Sequence, residues 1–204
     1  MRIVAGKFRG RPLAAPDGQD TRPTSDRVRE AVFNILAHGI ADFSVEGARV
    51  LDLFAGTGAL GIEALSRGAA YCLFVEEDAE ARGLIRRNIE ALELTGITKV
   101  FRRDATHLGD ASNRGAFDLV FLDPPYGKGL GERALASATK GRWLTPRAVA
   151  VIEERKGTAI ALPPEFTTLD QRTWGDTQAL FARFAETRGH CGSNPIASRF
   201  PPIR

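Results

Sequence analysis

Val50-Leu51-Asp52-Leu53-Phe54-Ala55-Gly56-Thr57-Gly58-Ala59-Leu60-Gly61 is the stretch that decides the fold. Its apolar beginning predicts a short buried strand, and the glycines predict a tight turn that opens into a helix. Residues 56–61 read G-x-G-x-x-G, which is typical of a nucleotide-binding turn between a strand and a helix. The first two glycines allow a ligand to approach the backbone, and Gly61 allows the helix to pack closely on the strand.

Two acidic residues strengthen this interpretation. Asp52 lies at the carboxyl end of the predicted strand, immediately before the glycine turn. Glu76 ends the next apolar run, Tyr71-Cys72-Leu73-Phe74-Val75, which is the spacing of about 20 residues expected for a carboxylate that binds ribose hydroxyls. The alternative is a purely structural turn in which Asp52 only caps the helix.

Strand and helix patterns alternate along the remaining chain. A parallel sheet covered by helices on both faces is therefore expected, with a terminal hairpin adding antiparallel pairing. The seven predicted strands make the fold class α/β and Rossmann-like, with a small N-terminal extension of ribbon and helix. The predicted strands are 50–53, 71–76, 100–101, 116–122, 148–152, 167–172 and 178–184. The predicted helices are 26–38, the helix after the glycine turn that carries Ile62, Ala64 and Leu65, 78–93, a weak one after Asp104, and 130–139.

The bulk properties exclude several classes of protein. The chain has 204 residues and contains no apolar run of about 18 residues, so neither a membrane span nor a signal peptide is predicted. Cys72 and Cys191 are far apart, which favours reduced thiols and a cytoplasmic location. No metal site is predicted. The expected organisation is a basic ribbon and helix at 1–40, a core at 41–186 and a disordered tail at 187–204.

Positive charge is concentrated near the N-terminus. The net charge of the whole chain is +3, whereas residues 1–29 carry seven cations against Asp17, Asp20 and Asp26, and 7 − 3 gives +4. A basic lobe of this kind indicates contact with a polyanion, although an ordinary solvated surface explains the charge equally well. Phe8, among these cations, is either a base-stacking residue or an anchor to the core. The candidate nucleic-acid-binding residues are Arg2, Lys7, Arg9, Arg11, Arg22, Thr24 and Arg27.

A second motif, Asp123-Pro124-Pro125-Tyr126, ends the fourth predicted strand. In a doubly wound sheet the first and fourth strands are neighbours, so Asp52 and Asp123 are expected to face one crevice. The two prolines lack N–H groups and stiffen the backbone, which fixes the direction of the Pro124 carbonyl. The tetrapeptide taken alone is also compatible with a plain turn at a strand end.

This motif suits the alkylation of an amino group on an aromatic ring. Such a nitrogen is a poor nucleophile because its lone pair is delocalised into the ring. The Asp123 carboxylate and the Pro124 carbonyl can accept both amino hydrogens and stabilise the positive charge that develops during attack. Tyr126 can stack on the base, which is worth about 1–3 kcal/mol, once the base has left its own stack. The predicted catalytic residues are Asp123, Pro124, Pro125 and Tyr126.

These motifs resemble class I S-adenosylmethionine-dependent methyltransferases, and more closely the RsmD family, over about residues 1–185. Members of that family methylate the exocyclic N2 of a guanine in bacterial 16S ribosomal RNA. The N-terminal stretches Arg2-Ile3-Val4-Ala5-Gly6 and Thr21-Arg22-Pro23-Thr24 and the segment 27–36 are the most family-specific parts of the resemblance, and Asn88 also matches.

The resemblance implies S-adenosylmethionine as cofactor and 16S rRNA as partner, met within an assembling small ribosomal subunit by a monomeric enzyme. By the same resemblance Glu76 holds the ribose hydroxyls, and Thr21, Arg22, Thr24 and Arg27 line the entrance to the site. The implied cofactor-binding residues are Asp52, Phe54, Gly56, Gly58, Glu76, Asp104 and Ala105.

Three other functions remain open from the sequence. D-P-P-Y also serves DNA methyltransferases that act on adenine N6 or cytosine N4, although this chain leaves little room for a target-recognition domain. A nicotinamide-dependent oxidoreductase would share the glycine turn but has no use for D-P-P-Y. A non-catalytic RNA-binding assembly factor would not need Asp52, Glu76 and Asp123.

Overall fold

A computed structural model of the chain describes residues 1–16 and 26–185. Within them, strands and helices alternate as the periodicity predicts, joined by short connections. None of the helices in this part of the chain combines the length and apolar character needed to cross a bilayer. The elements are α1 Asp26–His38, β1 Arg49–Leu53, α2 Ala59–Ser66, β2 Tyr71–Val75, α3 Ala79–Ala91, β3 Thr98–Phe101, β4 Phe117–Leu122, α4 Leu130–Lys140, β5 Leu144–Arg155, β6 Phe166–Trp174 and β7 Thr177–Phe184.

All seven strands form one sheet in the order β3-β2-β1-β4-β5-β7-β6. Strands β1 to β5 run parallel, and β7 is antiparallel to both of its neighbours, β5 and β6. The predicted Rossmann-like α/β fold with a terminal hairpin is confirmed. The strand order reverses at β1, whose Leu53 is in register with Val75 on one side and Leu122 on the other. Ligands bind at such a switch point in open α/β sheets.

Successive side chains of each strand point to opposite faces of the sheet, so the core forms two layers, one on each face. Val50 of β1 packs with residues of α1, α2 and α3, whereas Leu51 and Leu53 pack with α4. Because successive side chains of a strand point to opposite faces, Asp52 shares the α2 face with Val50. This places its carboxylate beneath the first turn of α2, next to the glycine turn.

The prediction of a weak helix after Asp104 is wrong. This connection contains only two single 3-10 turns, Ala105–His107 and Ser112–Arg114. Asp104 and Asp110 each accept a backbone N–H two residues ahead, from Thr106 and Ser112, at 2.8 and 2.7 Å. Such local bonds favour turns over a continuing helix. Strand β5 is also longer than predicted, because Leu144 pairs with Phe117 ahead of a shift in register.

The N-terminal ribbon is a loop closed by one antiparallel bridge between Arg2 and Pro12. Ile3 is 1% exposed and joins the core layer of α1 and α2. The buried Glu63 carboxylate on α2 accepts the amides of Val4 at 2.8 Å and Ala5 at 3.0 Å. The ribbon is therefore tied to the helix that follows the glycine turn.

Arg29 of α1 is a charged residue that lies within the core. Its side chain is fully buried and pairs with Glu63 at 3.6 Å and with Asp26 at 2.7 Å. Arg67 also pairs with Glu63, at 2.8 Å. Burying the charge of Arg29 is tolerable because these carboxylates surround it. The ribbon closes over this side of α1, an effect of tertiary contact that helical spacing cannot anticipate.

Candidate active site

The ends of four parallel strands surround one cavity of about 1180 Å³. Ligand pockets usually have volumes of about 300–1,000 Å³, so this cavity is large enough to hold more than one small ligand. Gly58 is the only predicted cofactor residue that does not line it, because an added Cβ there would face Phe74, Ile85 and Ile62. The predicted residues that line the cavity are Asp52, Phe54, Gly56, Glu76, Asp104, Ala105, Asp123, Pro124, Pro125 and Tyr126.

The glycine turn is held in an unusual backbone conformation. Gly56 and Gly58 have φ angles of 55° and 78°, which glycine adopts without steric cost. Phe54 also has a positive φ, 59°, which is unfavourable for a residue with a side chain. The Glu76 carboxylate accepts the amides of Gly56 at 2.8 Å and Asp78 at 2.9 Å. Glu76 therefore ties the turn to the end of β2 with its own carboxylate.

Asp52 is 2% exposed, and its Oδ2 accepts the amide of Gly61 at 2.9 Å. Burial raises the pKa of the Asp52 carboxyl well above 3.8, the Gly61 amide opposes this effect, and the charges of Asp123 and Glu76 raise the pKa further. Asp52 thus supports the first turn of α2, as the structural alternative proposed. It also lines the cavity, so the two interpretations are compatible.

Gly61 allows the close packing of α2 on the sheet that the motif predicts. A Cβ added there would lie 2.5 Å from both Cys72 Sγ and Phe74 Cε1, and 3.0 Å from Asp52 Oδ2. Nothing larger than glycine therefore fits between α2 and strands β1 and β2 without displacement.

Asp104 has partners that the sequence did not reveal. Its carboxylate accepts the hydroxyl of Thr106 at 2.7 Å and contacts His107 Nδ1 at 2.9 Å. The Thr106 hydroxyl is the main cause that lowers the pKa of Asp104, and His107 contributes in the same direction. Two cations that line the cavity, Arg103 and Arg133, were not predicted as site residues, because neither belongs to a recognisable motif.

The D-P-P-Y segment leaves the end of β4 at the side of the cavity opposite Glu76. Pro124 is buried and Asp123 is half-buried. The Tyr126 hydroxyl lies 3.3 Å from Thr177 Oγ1 on β7. Asp52 and Asp123 belong to hydrogen-bonded neighbours, because Leu53 of β1 is in register with Leu122 of β4. The predicted meeting of the two motifs in one crevice therefore agrees with the sheet.

The lining of the cavity is strongly acidic. Carboxylates around it favour a ligand with positive charge, whereas a pyrophosphate-bearing dinucleotide would meet repulsion. This argues against the nicotinamide alternative. In the described part of the chain the lining holds two basic side chains, Arg103 and Arg133, against seven acidic side chains, Asp52, Glu76, Glu77, Asp78, Glu80, Asp104 and Asp123.

The candidate RNA-binding residues are spread along the ribbon. Met1 and Pro16 line the cavity, but the amide of Lys7 donates to the carbonyl of Ser66, at the far end of α2 from the glycine turn. Exposed Arg9 is at this same tip. Half-buried Phe8 packs against the core, as the anchor interpretation expected.

The other candidate cations differ in what they contact. Arg11 donates to the carbonyl of Ala91 at the end of α3, and Arg2 pairs with Asp26 at 3.5 Å. Arg27 is exposed on α1. Thr21, Arg22 and Thr24, like Cys191 and the predicted tail, lie outside the described residues.

Comparison with known proteins agrees with this geometry. Residues 1–183 match the family described as Conserved hypothetical protein 95. Ribosomal RNA small subunit methyltransferase D of Haemophilus influenzae is 35% identical over 177 residues, covering 86% of this chain and 89% of its own. The protein of the same name from Escherichia coli is 39% identical over 154 residues, covering 75% and 74%.

A solved structure shares the fold over almost the whole chain. The protein yhhF of Escherichia coli, described as a methyltransferase, superimposes with a TM-score of 0.78 at 30% identity. The match covers 92% of this chain and 99% of yhhF. The chain therefore belongs to the RsmD family of S-adenosylmethionine-dependent ribosomal RNA methyltransferases.

Proposed function

We propose that this protein transfers a methyl group from S-adenosylmethionine to the exocyclic N2 of a guanine in 16S ribosomal RNA. It acts as a monomer in the cytoplasm, on RNA within an assembling small ribosomal subunit. The two curated relatives compared above are named as methyltransferases of the small-subunit RNA. The observation that carries the proposal is one acidic cavity bordered by both the glycine turn and D-P-P-Y.

The cavity suits the cofactor in charge and in size. When bound, S-adenosylmethionine supplies an electrophilic methyl group on a positively charged sulfur. Asp52 and the Gly56 turn would border its methionine part, Glu76 would receive the ribose hydroxyls, and Asp104 with Ala105 would border the adenine. The acidic lining favours a cationic sulfonium over the neutral thioether that remains after transfer, which assists release of the product.

The chemistry of the acceptor falls to the loop after β4. Asp123 and the Pro124 carbonyl accept the two hydrogens of the N2 amino group, which turns the nitrogen lone pair toward the methyl carbon. These acceptors also stabilise the positive charge that grows on nitrogen, so they act most strongly in the transition state. Tyr126 stacks on the extruded guanine. The proton released after transfer is accepted by the Asp123 carboxylate or by water.

The RNA is held mainly by the N-terminal segment. Lys7 and Arg9 are exposed at the ribbon tip, away from the catalytic loop, and can reach phosphates that lie outside the cavity. Arg2, Arg11 and Arg27 supply charge nearer α1 and α3. Such contacts orient the substrate without reading its sequence.

The decisive experiment is transfer of a radiolabelled methyl group to small ribosomal subunits that lack the modification. Nucleoside analysis should identify N2-methylguanosine as the labelled product. Naked 16S RNA and duplex DNA are the parallel substrates. Label in N6-methyladenine or N4-methylcytosine of the DNA would support the DNA-modifying alternative, and binding without transfer would support a non-catalytic assembly factor.

A further inference from the structure

The loop that carries D-P-P-Y, residues 123–129, contains two prolines followed by glycines at 127 and 129. Pro124 and Pro125 have no N–H groups, so neither can be anchored through its amide. Gly127 and Gly129 follow with φ angles of 73° and 60°, a conformation that lets the loop bend sharply before α4. Tyr126 lies between the prolines and the glycines, so contacts with neighbouring strands bear directly on its orientation.

Two buried side chains on neighbouring strands supply this contact. The Glu154 carboxylate at the end of β5 accepts the amide of Gly127 with both oxygens, each at 3.1 Å. Thr177 Oγ1 at the start of β7 lies 3.3 Å from the Tyr126 hydroxyl. Glu154 and Thr177 are 6% and 9% exposed. The loop is thus tied at two successive residues, once through its backbone and once through the phenol.

Glu154 is a buried charged residue near the end of β5. The preceding part of β5, Ala148–Ile152, is apolar and buried. A buried carboxylate loses more hydration than an aliphatic side chain does at the same place, so a glutamate here lowers the stability of the folded protein. No salt bridge is formed by Glu154 with the described residues. Among the described residues, the other amide that the Glu154 carboxylate accepts is that of the adjacent Arg155, at 2.7 Å.

We propose that Glu154, assisted by Thr177, is a positioning residue that holds Tyr126 and the D-P-P-Y backbone in the geometry required for methyl transfer. This inference rests on the proposed function, in which Tyr126 stacks on the target base. Glu154 touches neither the cofactor nor the base in this scheme. Its effect should appear in kcat, because the loop presents the groups that act in the transition state, and not in cofactor affinity.

Substitution at Glu154 tests the proposal. Glu154→Ala should lower kcat roughly 10- to 100-fold, as expected for the loss of a hydrogen bond to a charged group, with the Kd for S-adenosylmethionine unchanged. Glu154→Gln keeps an oxygen that accepts the Gly127 amide, so it should restore most of the rate. A rate equally low in both variants, or a parallel loss of cofactor binding, would overturn the proposal.

A double-mutant cycle distinguishes positioning from general stability. If Glu154 acts partly through Tyr126, Glu154→Ala should lower kcat by a smaller factor in a Tyr126→Ala background than in the wild-type protein. Fully additive losses would contradict the proposal.

Hydrogen exchange at the Gly127 amide provides a readout that does not depend on activity. Exchange of this amide should be at least tenfold faster in Glu154→Ala. An unchanged exchange rate would show that Glu154 does not hold the loop. If the wild-type protein methylated no RNA, the proposed function would fail, whereas the exchange result would still decide whether Glu154 holds the loop.

Discussion

Asp52 and Asp123 stand at the ends of neighbouring strands but meet different surroundings. Asp52 is buried and accepts an amide of α2, whereas Asp123 is half-buried at the start of the D-P-P-Y loop. The Asp52 carboxylate supports the helix that follows the glycine turn. The Asp123 carboxylate can accept hydrogen bonds from a substrate. The two residues should therefore fail in different ways when they are replaced.

Asp123→Ala should reduce methyl transfer by a factor of about 10²–10³ or more, because it removes an acceptor that acts on charge developing in the transition state. The Kd for S-adenosylmethionine should stay close to the wild-type value, as measured by calorimetry. Asp42→Ala is a suitable control, since Asp42 is an exposed carboxylate outside the cavity lining. Loss of cofactor binding in Asp123→Ala would mean that this carboxylate serves the cofactor instead.

Asp52 should impose a pH dependence on the stability of the cofactor-free protein. Between pH 3.8 and its raised folded-state pKa, the folded protein keeps a proton that the unfolded chain has released. The free energy of unfolding should therefore fall as the pH rises through this window. Asp52→Asn should remove this slope in urea denaturation measured at several pH values.

The exposed Asp110 provides the opposite case for the same experiment. Its hydrogen bond with Arg142 is the main cause that lowers the pKa of Asp110 from 3.8 to about 2. Any stabilisation from Asp110 is present above pH 3.8 and is lost as the pH falls toward 2. Asp110→Asn should consequently remove the loss of stability between pH 3.8 and about 2, and it should leave the slope of the curve at higher pH unchanged. An Asp52→Asn profile that matched wild type throughout would show that Asp52 ionises normally.

At the scale of elements, the contact between α2 and the sheet is the tightest feature of the site. Gly61→Ala would place a methyl group 2.5 Å from Cys72 Sγ and Phe74 Cε1. Overpacking of this kind should destabilise the protein by about 1–3 kcal/mol and weaken cofactor binding, because α2 carries the glycine turn. Thermal unfolding with and without S-adenosylmethionine would measure both effects.

Gly83→Ala on α3 is the matched control for this substitution. A Cβ at Gly83 would meet no atom within 4 Å, and the residue lies inside a helix. The change should stabilise the protein by about 0.4–1 kcal/mol through helix propensity and lower entropy of the unfolded chain. If Gly61→Ala proved as harmless as Gly83→Ala, the packing of α2 would be looser than the contacts indicate.

At the scale of the whole molecule, we expect the tip of the ribbon to contact RNA at a distance from the D-P-P-Y loop. Lys7→Gln combined with Arg9→Gln should weaken RNA binding and reduce the slope of log K against log salt by about 1.4–1.8, if each residue neutralises one phosphate. Lys99→Gln with Lys140→Gln removes the same charge elsewhere on the exposed surface. Equal slopes for both double variants would exclude the ribbon tip as a specific phosphate contact.

The local sequence determined the fold and most of the cavity. Apolar runs of strand length, the glycine turn and D-P-P-Y are each recognisable within a dozen residues. Because the carboxyl ends of parallel strands meet at one edge, Asp52, Glu76 and Asp123 could be assigned to a common crevice once the strands were assigned. This reasoning needs only the alternation of strands and helices, which is a local property of the chain.

Only the tertiary structure decided which polar groups form hydrogen bonds or ion pairs within the protein. Arg29 is buried because the ribbon closes over it, and Arg11 bonds the end of α3 from 80 residues away. Glu154 reaches Gly127 only because β5 lies beside β4. Periodicity reports the face of an element but not what covers that face. Contacts between distant segments depend on how the elements pack, and no local pattern encodes them.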